Sequence, residues 1–101
     1  NNDWSVWINN NKYDSQNKGN DNFSIIKVNR LYIVCVWKTG YEKFVNALKA
    51  VKSNNDIIVS INEGIATVTF ILKPNQSLVL QEKNVVIIEG SAVGVNQINN
   101  N

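Results

Sequence analysis

The sequence predicts an α+β domain in which a single helix packs on a largely antiparallel β-sheet of six to seven strands. Three observations support this fold class. Apolar, β-branched segments of strand length recur, one segment repeats apolar residues at helical spacing, and short polar turns join most neighbours. Short turns make consecutive strands antiparallel, because a parallel pair needs a long crossover connection. With 101 residues, of which 44% are apolar, the chain is predicted to form one domain, 1–101.

The first predicted strand, 4–8, places Trp7 on one face and Trp4 on the other. The segment 9–22 that follows contains six Asn, and its only apolar residue is Tyr13. Such a composition has little surface to bury in exchange for an ordered backbone. We therefore predict a mobile, Asn-rich polar loop over 9–22.

The next strands are predicted at 23–28 and 31–37. The second consists of seven consecutive apolar residues, which is typical of a central strand covered on both faces. Thr39 and Glu42 have the spacing of a capping box, so a helix is predicted to begin there and to end near Ser53. Its apolar stripe comprises Tyr41, Phe44, Val45, Leu48 and Val51.

Four more strands are predicted after the helix, in two hairpins. In the first, 57–61 and 65–72 flank a three-residue turn in which Gly64 supplies positive φ. The second hairpin pairs 78–80 with 85–88.

The strand and helix patterns also predict the core, and the C-terminal segment 96–101 is predicted to be frayed. The residues expected to be almost fully buried are Ile33, Val34, Phe44, Leu48, Val59, Val68 and Phe70.

The composition argues against catalysis. The chain has no His, its eight acidic residues are scattered, and its single cysteine, Cys35, lies in the most apolar segment. Hydrolytic triads need a general base, most often His, and a thiol buried among apolar side chains is unreactive. Glu89 stands beside a strand end, but a structural role is favoured for it. We predict no enzymatic activity, no cofactor and no metal site.

Localisation is left undetermined by the sequence. No apolar run reaches the roughly 20 residues that a membrane-spanning helix needs. The absence of an initial Met and two N-x-S sequons, 22–24 and 75–77, favour a secreted or extracellular origin only weakly.

The favoured function is binding or assembly, through exposed sheet edges or the loop 9–22. The strands near the termini, 4–8 and 85–95, contain few of the Lys or Pro residues that usually protect an exposed edge. Such an edge can pair with an extended segment of a protein partner or with a second copy, which would make a homo-oligomer. Trp7 and Val86 are the side chains expected to contact this partner.

Two alternative functions stay open. Lys27, Arg30 and Lys38 interleave with aromatic residues, which is typical of single-stranded nucleic-acid binding, although the net charge of +2 is low for that function. Trp7 and Tyr13 beside the Asn-rich loop also resemble a carbohydrate-binding surface in composition.

Overall fold

The structure, a computed structural model, describes residues 4–8, 11–81, 84–89 and 96–99. Within these residues the chain forms nine strands and one helix. In order they are β1 (Ser5–Ile8), β2 (Asn11–Asp14), β3 (Phe23–Val28), β4 (Ile33–Thr39), α1 (Glu42–Leu48), β5 (Ile57–Asn62), β6 (Ile65–Leu72), β7 (Gln76–Gln81), β8 (Asn84–Glu89) and β9 (Asn96–Asn99).

The strands belong to three antiparallel sheets rather than to one. β1 pairs with β2, the central sheet has the order β3-β4-β6-β5, and the C-terminal sheet has the order β8-β7-β9. One helix and antiparallel strands agree with the predicted class in part, whereas the single sheet of six to seven strands is wrong. Both sides of β6 are already paired, with β4 and with β5, so β7 cannot pair with β6 after the turn that joins them.

The turn between β6 and β7 directs the chain out of the central sheet. The Gln76 N–H donates to the Lys73 carbonyl at 3.1 Å, and Asn75 has a φ of 65°. Pro74 stands one position earlier, where its fixed φ favours such a turn.

The sequence of β6 alternates Thr67 and Thr69 with apolar residues, which predicts one buried face, and the structure confirms it. Ala66, Val68, Phe70 and Leu72 are buried, and Thr67 and Thr69 lie on the other, partly exposed face. The helix α1 contacts β6, β7 and β8, and its buried residues are Val45, Ala47 and Leu48. The hairpin β1–β2 adds Ile8, which is 2% exposed, to the same core.

The core prediction is confirmed for four of the seven residues, Ile33, Leu48, Val68 and Phe70. It is wrong for Val34, Val59 and Phe44, which are only partly buried. Val34 alternates with the buried residues of β4 and therefore lies on the outer face, and Val59 belongs to the edge strand β5. Phe44 packs against the Trp37 and Tyr41 rings at 5.8 and 4.8 Å between centroids.

The helix is shorter than predicted and lacks the capping box. It begins at Glu42, and Thr39 is instead the last residue of β4, where its Oγ1 accepts a hydrogen bond from the Tyr41 N–H at 3.1 Å. The Val51 N–H donates to the carbonyl of Leu48, three residues back, so the helix ends in a tightened last turn.

The segment 9–22 was predicted as a loop, but it contains the strand β2, paired with β1. Two features order this segment without much burial. The Tyr13 ring packs edge-on against Phe23 at 5.5 Å, and the Asp14 carboxylate accepts from the Gln16 and Asn17 N–H groups at 2.9 and 2.8 Å. Hydrogen bonds that side-chain oxygens accept from nearby backbone N–H groups thus replace the apolar surface that the composition lacks.

The predicted frayed end also differs, because Asn96–Asn99 pairs with β7 as β9. Residues 100 and 101, and the part of the predicted edge 85–95 from residue 90 onward, lie outside the described residues.

Candidate binding surfaces

The six predicted site residues are distributed over four places in the structure. Trp7 and Arg30 line one cleft, and Lys27 lies beside it. Tyr13 lines a second, polar pocket, and Val86 lies in β8. The sixth residue, Lys38, is located near the far end of β4.

The Trp7 cleft has a volume of about 200 Å³ and lies where three parts of the chain meet. Its lining comes from β1, from the end of β3 with the turn into β4, and from the turn after β6. The lining residues are Ser5, Val6, Trp7, Val28, Asn29, Arg30, Tyr32, Ile33 and Pro74.

The turn that shapes the Trp7 cleft is fixed by Asn29. Its side-chain Oδ1 accepts from the N–H groups of Leu31 and Tyr32 at 2.8 and 2.9 Å, and its own N–H donates to the Tyr32 carbonyl at 3.0 Å. This arrangement holds Arg30 and Tyr32 on a closed turn at one wall of the cleft.

Cations and aromatic rings surround the Trp7 cleft. The Lys27 Nζ lies 5.8 Å from the centroid of the Tyr32 ring, and Arg30 is exposed. Trp7 is 50% exposed, and its partner across the β1–β2 pair is the exposed Lys12. The described lining contains no carboxylate. The cleft therefore combines an exposed ring with positive charge at its rim.

Lys38 lies away from this cleft, although the sequence grouped it with Lys27 and Arg30. Its N–H donates to the Asn22 carbonyl at 2.8 Å, at the end of β4 that precedes the helix. Five residues separate it from Ile33 in the cleft wall, which is roughly 17 Å along a strand.

Tyr13 lines a polar pocket of about 490 Å³ with five other residues. They are Asn11, Lys12, Asn17, Gly19 and Asn20. Burial raises the pKa of the Tyr13 hydroxyl, and the nearby Cys35 adds to this effect. Because the Tyr13 ring packs on Phe23 and lines a pocket separate from that of Trp7, the two aromatics do not form one stacking surface.

Each edge of the central sheet is covered in its first half by a short segment of the same chain. At β3, the Ile25 N–H donates to the Lys18 carbonyl at 2.7 Å, and the Asn20 N–H donates to the Phe23 carbonyl at 2.8 Å. The outward backbone groups of Phe23 and Ile25, in the first half of β3, therefore already have partners.

At β5 the covering segment is 53–54. The Asn54 side chain accepts from the Ile57 N–H at 3.0 Å, and the Asn54 N–H donates to the Ile57 carbonyl at 2.7 Å. Further along the strand, the Val59 N–H donates to the Ser53 Oγ at 3.0 Å. An incoming strand would have to displace this segment before it could pair with β5.

The C-terminal sheet differs, because β8 pairs with β7 on one side and no described residue pairs with its other side. The register pairs Gln81 with Asn84 across a two-residue connection, so these two form the hydrogen-bonded pair that closes the hairpin. Hydrogen-bonded and non-bonded pairs alternate along an antiparallel ladder. The backbone N–H of Val86 is therefore directed at Val79 in β7.

By the same alternation, the outward-facing backbone groups of β8 belong to Val85, Ile87 and Glu89, which we call the β8 edge. The hairpin β5–β6 supports this assignment. It also closes over two residues, Glu63 and Gly64, which both have positive φ, and Ile57 and Val59 are the residues that bond outward there.

The Cys35 side chain is fully buried, as predicted, and burial raises the pKa of its thiol to about 12. No cluster of three or more His, Cys, Asp or Glu residues that could hold a metal is found within the described part of the chain. Over the same residues, no helix is long and apolar enough to cross a membrane.

Three asparagines have a structural role that the sequence reading missed. Asn20, Asn29 and Asn54 each accept hydrogen bonds from the N–H groups two and three residues later. In each case an aromatic residue or Ile stands three positions after the Asn, as in Asn54-Asn55-Asp56-Ile57. The same spacing occurs at Asn22, Asn55 and Asn62 without these hydrogen bonds, so the spacing alone does not predict the turns.

Comparison with known proteins adds no relative, since no family model, curated protein or solved structure matches this chain.

Proposed function

We propose that this protein is a non-enzymatic binding and assembly module that pairs through the β8 edge with an extended protein segment, in the first instance a second copy of itself. The observation that supports this proposal is the difference between the sheets. Short segments cover the first half of each edge of the central sheet, while β8, like β1, β2 and β9, has a strand neighbour on one side alone among the described residues.

The sequence of β8 suits strand addition. Asn84–Glu89 reads NVVIIE, with four β-branched apolar residues in a row and neither Lys nor Pro. Lys and Pro are the residues that most often keep an edge strand from pairing. Backbone hydrogen bonds at Val85, Ile87 and Glu89 would supply affinity, and alternate side chains would supply specificity.

Sedimentation velocity over a concentration series tests this proposal. The wild type is expected to sediment faster as its concentration rises. Ile87→Pro removes an outward N–H, and proline in an edge strand is tolerated when its missing N–H would face solvent. This variant should therefore keep its far-UV circular dichroism and stay monomeric.

Val86→Pro is the matched control, since it removes an N–H directed at β7 and should lower the melting temperature. If Ile87→Pro also unfolds, Val85→Pro repeats the test at a second outward position. A wild type that stays monomeric at every concentration would contradict self-assembly. Equal association of wild type and folded Ile87→Pro would contradict the β8 edge as its route.

The absence of catalysis is part of the proposal and rests on two features. The chain has no His, and its single thiol is fully buried with a pKa raised to about 12. Both leave the chain without an activated nucleophile of the usual kind.

A further inference from the structure

We propose that the Trp7 cleft binds one base of a single-stranded nucleic acid, with the neighbouring phosphates held by the cations at its rim. This site goes beyond the proposed assembly function, because it uses β1 and the β3–β4 turn rather than β8. The proposal rests on the shape of the cleft, on the exposure of its rings and on the sign of the surrounding charge.

The size of the cleft favours a single planar ring. Pockets that enclose whole small-molecule ligands measure roughly 300–1,000 Å³, whereas this cleft measures about 200 Å³. A ligand that places one ring in the cleft and continues outside it fits this volume. A nucleotide in a flexible strand has this form, because its base can leave the strand while its phosphates stay in the backbone.

The aromatic groups are available for stacking. Trp7 is half exposed at the cleft wall, and Tyr32 lines the same cleft on the turn that Asn29 fixes. Base stacking on aromatic side chains is the main sequence-independent attraction in single-strand binding. Because the turn is closed before binding, ordering it costs little when the ligand arrives.

The charges fit phosphate. Lys12 stands opposite Trp7 in the β1–β2 register, Arg30 lines the cleft, and Lys27 lies 5.8 Å from the Tyr32 ring centroid. All three cations are exposed, so phosphates can reach them without burying charge. The described lining residues include no carboxylate, and the Asp14 carboxylate, opposite Ser5 in the β1–β2 register, accepts hydrogen bonds from the Gln16 and Asn17 N–H groups.

The concave shape separates this proposal from a membrane surface, which would use apolar side chains that protrude. Leu31, 73% exposed beside Arg30, could serve such a surface, so the test includes lipid vesicles. The concave shape of the Trp7 cleft also favours a single strand over a duplex, in which the bases are stacked and not free to enter a cleft.

The experiment is fluorescence anisotropy with fluorescein-labelled oligothymidylate and oligouridylate of roughly twelve nucleotides, within the range of known single-strand sites. We expect the wild type to bind at low salt. With three phosphate contacts, the logarithm of affinity should fall against the logarithm of salt with a slope of about −2. A preference between the two oligonucleotides would identify the source as DNA or RNA.

Four variants locate the site. Trp7→Ala should weaken binding about tenfold or more, and Trp7→Phe should retain most of it because the stacking face remains. Arg30→Ala should make the salt slope shallower by about 0.7. Lys38→Ala removes the same charge at the far end of β4 and should change neither affinity nor slope by a comparable amount.

Failure to bind either oligonucleotide at low salt would overturn the proposal, as would equal binding by wild type and folded Trp7→Ala. Binding to vesicles of phosphatidylserine and phosphatidylcholine without binding to oligonucleotides would also overturn it, in favour of a lipid surface. The assembly proposal is tested independently of this one. Ile87→Pro should leave oligonucleotide binding unchanged, and Trp7→Ala should leave sedimentation unchanged.

Discussion

The outer strands of the central sheet, β3 and β5, have outward backbone groups in their first halves bonded to segments 18–20 and 53–54 of the same chain. The outer strand β8 of the C-terminal sheet has its one described neighbour in β7. All three strands have antiparallel partners on their inner side, so strand pairing alone does not decide which edge stays available. Short local segments decide it.

The comparison of β5 with β8 also shows that an edge strand can be protected without Lys or Pro in its own sequence. β5 contains neither Lys nor Pro, and its sequence, IIVSIN, is as apolar as that of many aggregating segments. Its protection comes from Ser53 and Asn54, whose side chains accept the outward N–H groups. The position of a few polar residues before a strand therefore matters more than the composition of the strand itself.

The largest effect is expected in the core beneath the covered sheet. Leu48 is 1% exposed in the core that the helix shares with the central sheet, so Leu48→Ala should lower the free energy of unfolding by about 2–5 kcal/mol. Urea unfolding followed by tryptophan fluorescence measures this change. Leu31→Ala makes the same chemical change at a residue 73% exposed and should cost less than about 0.5 kcal/mol. Similar losses in both variants would contradict the burial of Leu48.

The free energy of unfolding should depend on pH through Cys35, which lies in the centre of the same sheet. Its thiol pKa is raised from 9.0 to about 12 in the folded protein by burial. Between these values the unfolded chain loses the thiol proton while the folded protein keeps it. Stability due to this group is fully present below pH 9 and falls as pH rises toward 12, at up to about 1.4 kcal/mol per pH unit.

The check is the difference in unfolding free energy between wild type and Cys35→Ala, measured at several pH values, because other side chains also titrate in this range. Above pH 9, the wild type should lose stability relative to Cys35→Ala. A pH-independent difference would mean that the thiol is not shielded from water in the folded state.

The smallest effect on stability is expected at the covered edge of β5. A change there tests most directly why β5 and β8 differ. Ser53→Ala with Asn54→Ala removes side-chain acceptors for Val59, Ile57 and Asp56, at a cost of about 1–2 kcal/mol. The double variant should also expose an edge that can pair. Made in the Ile87→Pro background, it should restore concentration-dependent sedimentation, and a monomer there would show that these two residues do not control access to β5.

Much of the local structure could be predicted from the sequence. The strand 23–28 was predicted with the bounds that the structure gives, and the two faces of β6 followed from simple alternation. The segment 9–22 was predicted as a loop because its fourteen residues include only one aromatic. This prediction missed β2, because the hydrogen bonds that Asp14 and Asn20 accept from the backbone cannot be inferred from an apolar pattern. The helix start was misplaced because Thr39 remains paired with Ala66 in the sheet.

The candidate site was predicted only as separate residues. Trp7 and Arg30 were both singled out, but nothing in the sequence placed β1 beside the β3–β4 turn, and Pro74 was not considered for the cleft. Lys38 was grouped with Lys27 and Arg30 because all three interleave with aromatic residues in the sequence, but the length of β4 separates Lys38 from the cleft.

By itself, the sequence determined the two faces of β6, the burial of Cys35 and the position of the turn at Gly64, because these depend on neighbours within a few residues. Only the tertiary structure decided how many sheets the strands form, which edges are covered and which aromatics share a cleft. These depend on contacts between distant segments: β6 pairs with β4 and β5, so β7 cannot pair with β6 and instead belongs to a separate sheet with β8 and β9.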